Sequence, residues 1–254
     1  EMCIRDSAIS STSGTATEVT AFSIITDYHK GIKYPIADFE ITPDVAIVDP
    51  DLAETMPQKL VAHTGMDAMT HAIEAYVSTA NCDYTDPLAL HAMEMIKANL
   101  VKSYNGDMAA RDSMHNAQCL AGMAFSNVGL GVVHGMAHPL GAIFDIPHGV
   151  ANALLLPIIM EFNAPAALDK YVEIAKAMKV YKEGMGQEEA ARAAVDAVRA
   201  LSVRVGIPQH LSELGIKESD LDKLATAAIA DVCTPGNPRE VTKEIILDLY
   251  KKAL

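Results

Sequence analysis

Acidic and imidazole side chains recur at helical spacing in the mostly apolar stretch of residues 65–149. Asp67 and His71 lie four residues apart, and so do His134 and His138. On a helix, residues four apart project from the same face, so the side chains of each pair can reach one common point. Leaving such polar groups buried without partners would cost about 1–3 kcal/mol each. The two pairs therefore need partners in the folded chain.

Two interpretations of this pattern are open. Imidazole and carboxylate together suit a divalent first-row metal, and a site with few protein ligands leaves positions for a substrate oxygen. His148, ten residues after His138, adds another candidate beyond a turn. Alternatively, the histidines are hydrogen-bonded residues of the core, since histidine is often partly buried. Spacing alone does not decide between a metal site and buried histidines.

Three segments carry a resemblance to a known family: residues 65–74, residues 134–149 with their paired-histidine motif, and residues 233–239 (Cys-Thr-Pro-Gly-Asn-Pro-Arg). They resemble the iron-containing (group III) alcohol dehydrogenases, in particular the branch of lactaldehyde reductase and butanol dehydrogenase. The chain is also similar to the alcohol dehydrogenase half of bifunctional aldehyde-alcohol dehydrogenases. The resemblance runs from about residue 8 to residue 254.

The resemblance implies a ligand set. In the family, one aspartate and three histidines hold the metal, and they match Asp67, His71, His134 and His148. His138 matches a histidine beside the nicotinamide and the substrate that is not a metal ligand. The ion implied is Fe²⁺, with Zn²⁺ as the alternative.

The resemblance also implies cofactor and substrate positions. The hydroxyl-rich run of residues 10–20 is similar to a Thr-rich family segment that contacts the dinucleotide, and two later positions align with residues that line the cofactor. Three further positions align with substrate-lining residues. The dinucleotide candidates are Ser11, Thr12, Thr15, Thr20, Lys33 and Leu52, and the substrate candidates are Phe22, Phe125 and Cys233.

The implied activity is reversible hydride transfer between NAD or NADP and a small primary alcohol, diol or aldehyde. His138 would relay the proton that the alcohol oxygen loses or gains. Glycerol dehydrogenase-like and dehydroquinate synthase-like enzymes of the same superfamily are alternatives. So are a helical metal-dependent hydrolase, whose usual adjacent His-Asp pair the sequence lacks, and a non-catalytic helical fragment with buried histidines.

The chain divides by pattern near residue 52. Residues 1–52 hold the predicted strands 19–26, 33–39 and 41–48, with a turn at 27–31, whereas residues 53–254 are helical in every strong pattern. The predicted fold class is mainly α: an all-helical metal-binding domain preceded by the β-rich tail of a Rossmann-like α/β dinucleotide-binding domain. The predicted helices cover residues 60–77, 86–100, 107–124, 148–161, 168–178, 187–205, 219–230 and 242–252, and another carries the histidine motif.

Two features of the first part of the chain bear on completeness. Residues 1–7 match nothing in the resemblance, so we interpret them as a sequence-end artefact or a foreign junction and leave them out of the fold prediction. No Gly-x-Gly phosphate loop occurs before Pro57, although the family carries one. We therefore expect an N-terminally truncated enzyme that is inactive by itself.

Charge and cysteine usage exclude some classes of function. The formal net charge of −13 forms no basic stripe, which argues against nucleic acid or an anionic membrane as partner. Four cysteines without CxxC spacing and a start unlike a signal peptide predict a cytoplasmic protein. The apolar run of residues 150–160 is too short to span a bilayer, so we expect a buried helix. We also expect a homodimer or larger homo-oligomer.

Overall fold

The computed structural model describes the backbone of residues 6–27, 29 and 32–254, and the side chains of these residues except 26 and 32–35. Two small sheets form the amino-terminal part. Strand β1 (Ser7–Ile9) pairs in parallel with β4 (Val45–Ile47), and β2 (Phe22–Asp27) pairs antiparallel with β3 (Ile32–Ala37). The predicted hairpin is therefore confirmed. Of its predicted turn, residues 28, 30 and 31 lie outside the described residues.

The predicted strand boundaries are partly wrong. Val19, predicted to begin a strand, lies in the 3-10 turn Thr17–Val19. Phe39 begins another 3-10 turn, Phe39–Ile41. Of the predicted strand 41–48, the three residues Val45–Ile47 form β4. The physical reason at the second turn is local. The carboxylate of Asp38 accepts a hydrogen bond from the Glu40 N–H at 2.9 Å, which caps the 3-10 turn and ends the extended run.

Ser7, which the fold prediction left out with residues 1–6, begins β1. The N–H of Val45 donates to the carbonyl of Asp6 at 3.2 Å and continues the pairing. Ile9 and Val45 are 53% and 45% exposed. Parallel strands are usually covered on both faces. The β1–β4 pair therefore presents an apolar surface that the described residues leave open.

From residue 58 onward the described chain is mainly helical, as predicted, and the fold class is confirmed. The predicted helix 219–230 begins as a 3-10 turn, Glu218–Asp220. The helices are α1 (Gln58–Val77), α2 (Asp86–Tyr104), α3 (Met108–Val128), α4 (Val132–Phe144), α5 (His148–Asn163), α6 (Leu168–Ala177), α7 (Gln187–Arg204), α8 (Leu221–Ile229) and α9 (Lys243–Ala253).

Helix α1 lies at the centre of this part. Sixteen of its twenty residues are buried, because α2, α3 and α5 pack around it. The first turn of α5 comes very close to α1 at Gly149, where a Cβ atom would overlap the carbonyl of His63. The absence of a side chain at Gly149 thus lets the start of α5, with His148, lie directly on α1.

One helical stretch of the described chain, His148–Ala166, is long and apolar enough to cross a membrane by length and composition. The core helices of soluble proteins often meet the same criterion. Of its most apolar window, 67% is buried inside the protein. This burial agrees with the buried helix predicted from the sequence.

Candidate metal centre

Four side chains from three helices converge where α1, α4 and α5 meet. Asp67 and His71 come from α1, His134 comes from α4, and His148 is the first residue of α5. One ligand atom from each lies within 4.8 Å of the others. Asp67 Oδ1 is 3.9 Å from His134 Nε2 and 3.6 Å from His148 Nε2. An ion bound at about 2.0–2.2 Å would hold its ligand atoms about 3.3–4.4 Å apart, so both distances suit a shared metal.

The second ring nitrogen of His71 has a defined partner. His71 Nδ1 donates to the carbonyl oxygen of Gly14 at 3.2 Å. Because a carbonyl only accepts, Nδ1 carries the hydrogen and Nε2 keeps its lone pair. Burial lowers the pKa of His71, more than the Asp67 carboxylate and the Gly14 carbonyl raise it. The imidazole is therefore neutral near pH 7, as a metal ligand must be.

Glu74 plays the corresponding part for His134. Its Oε2 lies 2.5 Å from His134 Nδ1, and its Oε1 accepts the N–H of Val133 at 2.8 Å. The N–H of Gly131 also donates to this carboxylate. The carboxylate thus caps the amino terminus of α4 and places the hydrogen of His134 on Nδ1. Nε2 is left with its lone pair on the side of the other ligand atoms.

The charge state of Glu74 is set by opposing effects. The pKa of Glu74 is raised to about 8, because burial raises it more than the hydrogen bonds from the N–H groups of Val133, Gly131 and His134 lower it. Since all of these groups are donors, they offer no acceptor for a carboxylic proton. The ionised form, which is present above that pKa, is the one that matches the donors when His134 carries its hydrogen on Nδ1. Burial also lowers the pKa of His134 well below its usual value, so that imidazole is neutral.

Asn152, one helical turn after His148, contacts the same cluster. Its Nδ2 lies 2.7 Å from Asp67 Oδ1, 3.0 Å from His134 Nε2 and 3.1 Å from His148 Nε2. The side chain is fully buried. One amide nitrogen thus lies within hydrogen-bonding distance of three of the four candidate ligand atoms.

His138 lies beside the cluster and outside the four-residue group. Its Nδ1 is 2.8 Å from Asp231 Oδ2, and its ring stacks on His148 with centroids 5.5 Å apart. His138 also groups with Asp231 and Cys233 within 4.8 Å. Burial, with the charge of Asp231, raises the pKa of the Cys233 thiol well above its usual value. A thiol that stays protonated is a poor metal ligand, which sets this second group apart from the first.

A cavity of about 630 Å³ opens onto both groups. Its walls include the four candidate ligands and His138, together with all three predicted substrate residues and two of the predicted dinucleotide residues. The predicted residues that line it are Phe22, Phe125, Cys233, Thr15 and Thr20. Phe125 stacks on His71 at 4.3 Å and lies 6.1 Å from Phe22, so an apolar wall adjoins the ligand atoms.

The other predicted dinucleotide residues lie elsewhere. Ser11 and Leu52 are exposed and Thr12 is half-buried, and none of the three lines this cavity. Lys33 belongs to β3, but its side chain lies outside the described residues. A dinucleotide contact at these four positions stays a prediction.

The loop before β2 is fixed to α3 from two sides. His115 is buried between two serines, with Nδ1 3.0 Å from Ser13 Oγ and Nε2 3.3 Å from Ser10 Oγ. Gln118 Nε2 donates to Glu18 Oε1 at 2.7 Å. These bonds hold the loop so that its Gly14 carbonyl faces His71.

Sequence reasoning missed the partners of the ligands. Glu74 follows Asp67 by seven residues and Asn152 follows His148 by four, so helical spacing already places each on the face of a candidate ligand. Asp231 lies 93 residues from His138, and no local pattern links the two.

The donor set fits a divalent first-row metal. It offers one carboxylate oxygen and three imidazole nitrogens, and two of the imidazoles are held neutral with one nitrogen already hydrogen-bonded. Such a set suits iron or zinc, and the cavity leaves one side of it accessible to a small molecule.

Two family models match the chain. The model described as "Fe-containing alcohol dehydrogenase family, C-terminal" covers residues 61–254, and "Iron-containing alcohol dehydrogenase" covers residues 4–50. Together they span the strands, the helices and the candidate metal centre.

Curated relatives and solved structures agree with these matches. The chain is 54% identical to the NADPH-dependent butanol dehydrogenase of Clostridium saccharobutylicum, over 96% of this chain and 63% of the relative. It is 51% identical to the lactaldehyde reductase of Escherichia coli (strain K12), over 97% and 64%. A solved 1,3-propanediol oxidoreductase superposes with a TM-score of 0.95 at 41% identity, over 98% of this chain and 65% of that one. The chain thus spans somewhat less than two thirds of these proteins.

Proposed function

Because the chain belongs to the Fe-containing alcohol dehydrogenase family, we propose that it forms the metal-binding part of an enzyme that interconverts small primary alcohols or diols and aldehydes. The observation that carries the proposal is the convergence of Asp67, His71, His134 and His148 on the wall of an apolar cavity. The chain covers 63% and 64% of two relatives that are named for butanol and lactaldehyde, so the activity belongs to a longer protein in those cases.

We assign Fe²⁺ to the four ligands, with Zn²⁺ as the alternative, and NAD or NADP as the hydride carrier. When bound, the divalent ion supplies Lewis acidity at the substrate oxygen, and the nicotinamide accepts or gives the hydride. The protein's part is to hold the ligand atoms, to shape the cavity and to move a proton.

His138 is the proposed proton relay. The Asp231 carboxylate accepts from its Nδ1 at 2.8 Å, so Nε2 keeps the lone pair that can take a proton from an alcohol. His138 lines the cavity beside His148. A correctly placed general base contributes typically about 10²–10⁴ in rate.

The apolar wall favours short, weakly polar substrates. Phe22 and Phe125 lie 6.1 Å apart next to the ligand cluster, and they limit access of water to the reacting atoms. Cys233 closes the same cavity near Asp231 with a protonated thiol. We propose these three residues as the substrate wall, and Thr15 and Thr20 as the nearest dinucleotide contacts.

Other parts of the proposal extend the sequence predictions. Ser11, Thr12, Lys33 and Leu52 are proposed as outer dinucleotide contacts, and the boundary between the two regions is proposed at residue 52. Free thiols at Cys82, Cys119 and Cys233 support a reducing, cytoplasmic setting. A homo-oligomer stays a prediction from the family resemblance. The relatives are named as alcohol and diol dehydrogenases, which does not favour a hydrolase or a dehydroquinate synthase.

Metal content tests the ligand assignment directly. The purified chain, loaded anaerobically with Fe²⁺ and freed of excess metal, should hold one ion per chain by elemental analysis. His148→Ala should lose most of it, because a ligand from the first turn of α5 is gone. His91→Ala is the matched control, since His91 is an exposed histidine whose ion pair among the described residues is with Glu94, and it belongs to neither group of candidate ligands. Unchanged metal content in His148→Ala would contradict the ligand set.

Turnover tests the relay. In the whole protein that carries this chain, His138→Ala should lower kcat on short alcohols by about 10²–10⁴ while the metal stays bound. Loss of the metal in this variant, or wild-type turnover on every short alcohol, would show that His138 has another role.

A further inference from the structure

Asn152 has hydrogen-bond partners of one kind only. Among the described residues, the contacts of its side chain are Asp67 Oδ1 at 2.7 Å, His134 Nε2 at 3.0 Å and His148 Nε2 at 3.1 Å, all through Nδ2. Its Oδ1 is buried and has no partner among those residues. The amide is thus oriented entirely by candidate metal ligands.

Helix packing does not account for an amide at this position. The neighbours of Asn152 along α5 are apolar and buried, and an amide buried among them costs free energy that an apolar side chain would not. Asn163, in the last turn of the same helix, shows the contrast. Both ends of its amide pair with Asn237, at 2.8 Å each, so the fold itself satisfies Asn163. For Asn152 only the ligand atoms do so.

The contact with Asp67 is the one that is compatible with a bound metal. An ion uses the lone pairs of His134 Nε2 and His148 Nε2, and each imidazole has only one lone pair to give. A carboxylate has several, so Asp67 can accept an N–H and bind a metal together.

We propose that Asn152 is a positioning residue of the metal centre, which holds the Asp67 carboxylate in its ligating orientation and so raises the affinity for the ion. This inference rests on the ligand set proposed above. Asp67 projects from a helix by two rotatable bonds, and the described residues place no second hydrogen-bond donor on Oδ1 besides this amide. Partners of this type typically change metal affinity about 10- to 100-fold when they are removed.

The test uses the purified chain and Co²⁺, whose visible spectrum reports the geometry of its ligands. Affinity is measured by competition with a chelator for the wild type, for Asn152→Ala and for Asn152→Leu, which keeps the volume without the donor. Asn163→Ala is the matched control in the same helix. We expect about 10- to 100-fold weaker binding and shifted visible bands in both Asn152 variants, and wild-type values in the control. Binding within twofold of the wild type with an unchanged spectrum, in a variant with native helical circular dichroism, would overturn the proposal.

A second measurement needs no variant. With ¹⁵N-labelled asparagine in the Co²⁺-loaded wild type, the two amide protons of Asn152 should be strongly shifted by the paramagnetic ion, and one should exchange slowly because it is bonded to Asp67. Amide protons of Asn152 at diamagnetic positions would also overturn the proposal.

These measurements distinguish a wrong ligand set from a wrong role for Asn152. If the wild type binds no Co²⁺, or His148→Ala binds it as tightly, the ligand set is wrong and the role of Asn152 is wrong with it. If His148→Ala loses the ion and both Asn152 variants keep full affinity, only the role of Asn152 is wrong.

Discussion

Glu74→Gln changes one atom of the buried carboxylate that holds His134. In the wild type both oxygens face donors, Oε1 the N–H of Val133 at 2.8 Å and Oε2 the Nδ1 of His134 at 2.5 Å. A glutamine must turn its NH₂ group toward one of these two. If the NH₂ group turns toward Val133, it faces the Val133 N–H and two donors meet. If the NH₂ group turns toward His134, it donates to Nδ1, so the hydrogen of the His134 ring has to lie on Nε2. That nitrogen then has no lone pair for a metal.

A metal-free chain avoids the clash at Val133 by the orientation toward His134, and metal binding must reverse that choice. Leaving one buried donor without a partner costs about 1–3 kcal/mol. Because each 1.4 kcal/mol is a factor of ten in an equilibrium constant, the affinity for the ion should fall about 5- to 150-fold. The assay is best run at pH 8.5, since burial raises the pKa of Glu74 to about 8 and the wild type is ionised above that value.

Chelator competition with Co²⁺ measures the effect, and the melting temperature of the metal-free chain separates it from a loss of fold. Glu213→Gln is the matched control, because Glu213 Oε1 also accepts two backbone N–H groups, those of Gln209 and His210 at 2.9 Å, and belongs neither to the ligand group nor to the cavity wall. We expect weaker metal binding only in Glu74→Gln. A folded Glu74→Gln chain with wild-type affinity would refute the tautomer argument.

Three more predictions concern other parts of the site. Asp231→Ala should remove the acceptor from the Nδ1 of His138 and lower kcat of a longer protein that carries this chain by about 10²–10⁴, with Co²⁺ affinity unchanged; a pH–rate profile checks the first effect and a metal titration the second. Burial lowers the pKa of His115 below its ordinary 6.5, so the folded chain binds fewer protons there than the unfolded chain. The contribution of His115 to the free energy of unfolding should therefore fall as pH drops below 6.5, by at most about 1.4 kcal/mol per unit. Urea unfolding at pH 7.5 and 5 should show a smaller loss of stability in His115→Gln than in the wild type. Gly135→Ala should destabilise the chain by about 1–3 kcal/mol, because the new Cβ overlaps Thr234 Oγ1, and Thr234→Ala in the same chain should restore part of the melting temperature.

The sequence predicted the helical part well because its determinants are local. Helical periodicity in residues 60–77 places Asp67 and His71 on one face whatever surrounds the helix, and the observed α1 agrees. Spacing could not show that this face packs against α4 and α5. The prediction that the four ligands form one site came from the family resemblance alone. Strand limits were less reliable, because side-chain capping at Asp38 ended an extended run that β propensity would have continued.

The sequence could not predict the residues that orient the ligands, because their contacts join distant parts of the chain. Glu74 and Val133 are 59 residues apart, and the two atoms meet only because α4 begins against the side of α1. Asn152 and Asp67 are 85 residues apart and meet through the close approach at Gly149. Local patterns name candidate ligands, whereas their orientation depends on tertiary packing.

The hydrogen bond between His71 and the Gly14 carbonyl has a consequence for energetics. It joins a candidate metal ligand to the loop of residues 10–20, so a molecule that shifts this loop changes the free energy of the imidazole. Thermodynamic linkage then requires reciprocity: if the ion tightens binding at the loop by some factor, binding at the loop must tighten the ion by the same factor. The total binding free energy of the two ligands is the same whichever binds first. If the coupling is favourable, dissociation of either ligand lowers the affinity of the chain for the other.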